Sequence, residues 1–138
     1  MIDPFVKDYR TLAEIQRDLS ADVLTYSTLA DSYLSRIAAR PELNAFIEVY
    51  EAEARAAAAR LDEQHRQGKT GPLAGLFLGV KDVICHTGHG VTASSRILKG
   101  FESLITSTAL QRLLDAGAIV IGRQGCDEFA MGSSSESS

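Results

Sequence analysis

Apolar positions along this chain change period as it runs, from helical spacing in the first half to short continuous runs in the second. Leu12, Ile15 and Leu19 recur at helical intervals, which predicts a short helix from Thr11 to about Leu19. Leu29, Tyr33, Leu34 and Ile37 form a second helical stripe. Thr25 stands where an N-cap belongs, and Pro41 predicts an end near Arg40, because proline restricts the residue before it. Leu43 to Tyr50 mixes apolar, β-branched and aromatic residues, which suits a strand or an extended segment. Glu51 to Gln67 is rich in alanine and long side chains and predicts a helix closed by Gly68, its charges forming a solvated face. The ten residues before Thr11 read as a loosely held lead-in.

From Gly71 the pattern shifts. Gly71-Pro72 breaks the chain, and Leu73 to Val80 then runs nearly apolar, which predicts a buried strand. Lys81 ends that run, Asp82 follows, and Val83-Ile84-Cys85 is apolar again. His86 to Ser95 is a loop by its Gly, Ser and Thr content, and Arg96 to Phe101 packs locally. Thr106 or Ser107 caps a helix with apolar Leu110, Leu113 and Leu114, ending at Gly117. Ala118 to Ile121 is a short buried strand, and Cys126 to Met131 suits one helical turn before the serine-rich tail. Helix, glycine and strand in that order make one unit of an α/β fold with parallel strands. There is no internal repeat and no linker, so 138 residues read as one unit.

Composition narrows the function more than the fold. Fourteen basic and 18 acidic residues leave a net charge of -4, which argues against charge-driven nucleic-acid binding by this chain. No apolar run reaches the roughly 20 residues of a membrane span, and the first ten residues lack the apolar stretch of a secretory signal. Two cysteines, Cys85 and Cys126, are too few for a disulfide framework and fit a reducing cytoplasm.

Lys81 is the only lysine in an apolar run; Lys7, Lys69 and Lys99 sit in polar surroundings. It carries two readings. Its amine either reaches a carboxylate at a sheet edge, or is kept neutral by burial so that it serves as a base. Asp82 contradicts neither, since successive strand side chains point to opposite faces and need not pair. Cys85, His86 and His89 are close in sequence but match no zinc spacing. Gly88 and Gly90 belong to a turn, because neither GxxxxGK[ST] nor GxGxxG occurs. The tail Gly132 to Ser138 has the composition of a disordered serine tract. Against that, it follows strand-turn-helix material, and ligand sites in α/β folds gather at the carboxyl ends of strands. A Gly-Ser run there offers N–H groups and hydroxyls to a small polar substrate.

PLAGLFLGVKDVIC (72–85) and GFESLITSTALQRLLDAGAIVIGRQGCDEFAMGSSSESS (100–138) resemble the amidase signature family. DEFAMGSS, Asp127 to Ser134, is most similar to the family's tRNA-dependent amidotransferase branch. The likeness covers essentially the whole chain. It implies an α/β fold: N-terminal helices followed by the first strands of the family's mixed sheet, as an incomplete domain. Residues 1–70 would be a mainly helical lead-in and 71–138 the start of the catalytic core.

The resemblance also implies chemistry. The family acts through a nucleophilic serine, a second serine with a cis peptide bond, and a lysine, which matches Lys81. Met131, Gly132, Ser133 and Ser134 match its substrate-binding element. The Gly-Ser segments that carry both catalytic serines do not occur here, and the serines at 133–138 are not those nucleophiles. The expected substrate is glutamine, whose side-chain amide would yield ammonia for transamidation of Glu-tRNA(Gln) or Asp-tRNA(Asn). Expected partners are the amidotransferase subunits B and C, the former holding tRNA, ATP and Mg, with no cofactor or metal in this chain. A stand-alone amidase and a non-catalytic interaction module are the alternatives. Without either serine, the 138 residues alone are expected to be inactive, and with strand edges unpaired, to be marginally stable or aggregation-prone.

Overall fold

The computed structural model describes residues 6–134. Three helices come first: α1 (Leu12–Ser20), α2 (Tyr26–Ala38) and α3 (Glu51–Arg66), with strand β1 (Glu48–Val49) between the last two. Strand β2 (Phe77–Lys81), helix α4 (Thr108–Asp115) and strand β3 (Ile119–Gln124) follow. The strands form one mixed sheet in the order β1-β3-β2, with β3 parallel to β2 and antiparallel to β1. This is the helices-then-mixed-sheet α/β arrangement that the sequence implied.

Local chemistry sets the helix starts. Thr11 and Thr25 accept hydrogen bonds from the backbone N–H groups of Glu14 and Thr28, satisfying donors that a helix start leaves free. Asp62 of α3 adds a carboxylate at the start of α2, accepting from the N–H groups of Tyr26 at 2.7 Å and Ser27 at 3.1 Å. Ala54, Ala58 and Leu61 are the buried stripe of α3. Two of the three are alanines, so the alanine content predicts the helix without revealing which face packs.

The sheet separates two apolar clusters. Ile119 and Ile121 of β3 join residues of α1, α2 and α3 such as Leu19, Leu29 and Leu61. Val120, between them in sequence, packs instead with Val80, Leu110 and Tyr50. That alternation is the period-two signature of a strand covered on both faces.

Several expectations need correcting. The strand predicted over Leu73 to Val80 begins only at Phe77, because residues 72–75 form a turn. Gly71 explains the turn: a Cβ there would lie 2.3 Å from the Ala116 carbonyl oxygen, and the N–H of Leu73 donates to that same oxygen. Leu43 to Tyr50 yields only the two-residue β1, preceded by a 3-10 turn over Pro41–Leu43. β3 runs three residues beyond Ile121, to Gln124. Residues 6–10 are not loose. Val6 is buried, Lys7 pairs with Asp18 at 2.6 Å, and the Tyr9 hydroxyl donates to Asp18 at 3.0 Å. Of the serine tail, 135–138 lies outside the described residues.

Candidate active site

β2 and β3 run parallel, and beyond a register shift between Leu78 and Gly79 Lys81 stands opposite Gln124 at the carboxyl end of the sheet. The chain leaves β3 at that end and leads through Gly125 to the Met131–Ser134 segment. The topology therefore delivers the predicted lysine and the predicted substrate-binding residues to the same end of the sheet. No hydrogen bond or ion pair joins them among the described residues, and Met131 to Ser134 are exposed. Gly132 lies against Asp127, whose Cγ would be 2.3 Å from an added Cβ, so only glycine permits that approach.

Lys81 is exposed, which corrects the expectation of burial. It is the last residue of β2, which is an edge strand of the sheet among the described residues. Asp82 does the opposite: it is fully buried, at 0 % exposure. Its carboxylate accepts from the N–H of Thr92 at 2.9 Å, the hydroxyl of Thr92, and the N–H of Ser94 at 3.0 Å. Arg123 of β3, itself 7 % exposed, brings Nε to 3.3 Å from the same carboxylate. That contact is an ion pair without hydrogen-bond alignment, and Nε and Nη1 have no hydrogen-bond partner among the described residues. The sequence reading that Asp82 need not pair with Lys81 holds among the described residues, although Asp82 lies in the turn just past β2 and not in the strand. It missed Thr92 and Arg123. The available signal was Arg123 itself, a charge continuing an apolar strand, which burial permits only when paired.

A second cluster lies nearby. His86 and His89 stack with centroids 4.0 Å apart and planes within 5°, and the Tyr50 ring lies 4.4 Å from His89. Both ring nitrogens of His89 face acceptors: Nδ1 is 3.0 Å from the Thr87 carbonyl oxygen and Nε2 is 2.9 Å from Glu53 of α3. Burial, then the neighbouring His89, lowers the pKa of His86, with Glu53 opposing them. A histidine whose folded pKa is depressed destabilises the fold as pH falls below its unfolded value, about 6.5. The melting temperature should therefore drop between about pH 7 and about pH 5, and His86→Phe should drop less. Equal losses in the two proteins would show that the cluster is not the acid-sensitive element. Among the described residues, no group of three or more His, Cys, Asp or Glu is placed to hold a metal. Nor is any helix long and apolar enough to cross a membrane.

Cleft size does not mark this site. A cleft of about 730 Å³ opens between α2 and the sheet, lined by apolar residues such as Ile37, Phe46 and Phe77, and contains no predicted site residue. The predicted site residues lie at the sheet end instead.

The family model described as Amidase matches residues 28–138, and the chain belongs to the amidase family. It is 47% identical over 132 residues, 95% of its length, to the A subunit of glutamyl-tRNA(Gln) amidotransferase from Salinibacter ruber. A protein of the same description from Chloroflexus aggregans is 45% identical over 94% of the chain. The chain spans about a quarter of the length of these curated relatives, 26% and 27%. Among solved structures, the native peptide amidase of Stenotrophomonas maltophilia superposes with a TM-score of 0.83 at 36% identity, covering 96% of this chain and 28% of that one.

Proposed function

We propose that this chain supplies the lysine-bearing part of the glutamine-hydrolysing component of an amidotransferase. The observation that carries this reading is the 47% identity to the A subunit of such an enzyme over nearly the whole chain. In this reading residues 1–70 are the helical lead-in and 71–138 the start of a single catalytic domain. A serine outside this sequence attacks the side-chain amide carbon of glutamine. The C–N bond breaks, ammonia leaves, and water hydrolyses the acyl-enzyme to glutamate. Lys81 moves protons between the second serine, which bridges it to the nucleophile, and the leaving ammonia, and Met131 to Ser134 line the substrate. Subunits B and C are the partners, the former holding tRNA, ATP and Mg, in the cytoplasm.

The likeness to a peptide amidase supports a second reading, a stand-alone amidase acting on another small amide. The full-length polypeptide carrying this sequence, with and without subunits B and C, separates the two. Ammonia release from glutamine that rises when the partners and misacylated tRNA are added is expected. Partner-independent hydrolysis of a peptide amide, with glutamine untouched, would establish the second reading instead. The 138 residues alone should release no ammonia above the buffer rate.

A further inference from the structure

We infer that Asp82 is a positioning residue, whose buried carboxylate fixes the 92–95 loop and, through it, the turn that carries the Met131–Ser134 segment relative to Lys81. The inference rests on the proposed function. Every polar atom of Asp82 is engaged. Besides the carboxylate contacts to Thr92, Ser94 and Arg123, its N–H donates to the Gln124 carbonyl at 2.9 Å and its carbonyl accepts from Ala93 at 2.8 Å. The loop it holds is strained: Ala93 and Ser94 are consecutive non-glycine residues at φ 50° and 51°. Left-handed backbone of this kind is strained at a non-glycine residue and persists only where surroundings enforce it. The bonds from Asp82 to Thr92, Ala93 and Ser94 are that enforcement.

The far side of the loop grips the 126–130 turn. Ser94 Oγ accepts from the N–H of Cys126 at 3.1 Å, the Ala93 carbonyl accepts from Phe129 at 2.9 Å, and Ser95 Oγ donates to Glu128 at 2.7 Å. That turn holds a second left-handed pair, Phe129 and Ala130 at φ 53° and 58°. Residues 131–134 follow it directly. The lysine and the substrate-binding segment are thus joined by a short chain of bonds with Asp82 at its head. An unstrained loop would have served simple stability better. Two strained pairs bonded to each other fix one arrangement, which catalysis by positioned groups requires, since a misplacement of about 1 Å can cost about a hundredfold in rate.

The test uses Thr92→Val, which keeps shape but removes the hydroxyl that donates to Asp82, with Thr92→Ser as the restoring variant. Buried Cys126 reports the grip on the turn through its rate of labelling by a thiol reagent, with half-buried Cys85 as internal reference. In the full-length polypeptide carrying this sequence, well below its melting temperature, Thr92→Val should label Cys126 about tenfold faster without changing Cys85, each cysteine being read in its own peptide. In the full-length polypeptide it should lower kcat for glutamine about tenfold, with a smaller change in KM. Thr92→Ser should restore both. Asp82→Asn should show the same pattern more strongly. Unchanged Cys126 labelling in Thr92→Val would overturn the inference, as would activity lost only in proportion to unfolded protein. A wild-type polypeptide that hydrolyses no amide would overturn the functional reading and, with it, the link from Asp82 to turnover. That outcome is told apart because the labelling difference would persist.

Discussion

Lys81→Met in the full-length polypeptide should fold with an unchanged melting temperature and lose at least about a hundredfold in glutamine turnover, the usual scale for a positioned acid-base group. The structure sharpens this expectation. A lysine that balanced a buried carboxylate would leave that charge unpaired when replaced, at a cost of several kcal/mol. The nearby buried carboxylate is Asp82, and it is satisfied by Thr92, Ser94 and Arg123, not by Lys81. Lys81 makes no ion pair among the described residues and is exposed, so its removal takes nothing from the fold shown here. Lys81→Arg gives the second half of the test. Arginine keeps the charge but stays protonated at any working pH and cannot accept a proton, so it should be as inactive as methionine. An active arginine variant beside a destabilised methionine variant would make Lys81 part of the scaffold.

The contrast between Lys81 and Asp82 shows where sequence reasoning succeeds. Helices α1, α2 and α4 were legible because periodic leucines and threonine or serine caps act locally. The extent of β2 was not, because the turn at 72–75 depends on how closely Gly71 approaches Ala116, a contact between residues far apart in the chain. Lys81 and Met131 to Ser134 stood out by resemblance, and the parallel register explains why they share one end of the sheet. The burial of Lys81 did not follow from its apolar neighbours. A strand side chain is buried only where another element packs over its face of the sheet, and periodicity cannot say whether one does. Thr92 and Ser94 were hidden for a related reason: a loop rich in Gly, Ser and Thr looks solvated until a buried acceptor is found for it.

Arg123 offers the other large effect, on stability. Arg123→Met should destabilise the full-length polypeptide carrying this sequence by about 3 kcal/mol, the lower end of the cost of breaking a buried ion pair. Two features set the magnitude. Losing the guanidinium leaves the fully buried Asp82 carboxylate without its countercharge, although its bonds to Thr92 and Ser94 remain. Against this, Nε and Nη1 of Arg123 are buried without hydrogen-bond partners among the described residues, so part of their desolvation cost is recovered. Charge outweighs that recovery, because an uncompensated buried carboxylate is costlier than unmade bonds to a guanidinium that also lies 3.5 Å from Glu48. Steric loss adds to it: Gly90 lies so close that an added Cβ would be 2.7 Å from Nη1, so the guanidinium fills the space under that turn. The double variant Asp82→Asn with Arg123→Met removes both charges and should be more stable than the sum of the single losses predicts, by at least about 1 kcal/mol of coupling. Denaturant midpoints for the four proteins of the cycle measure it. Additive losses would mean that Arg123 acts by filling space alone.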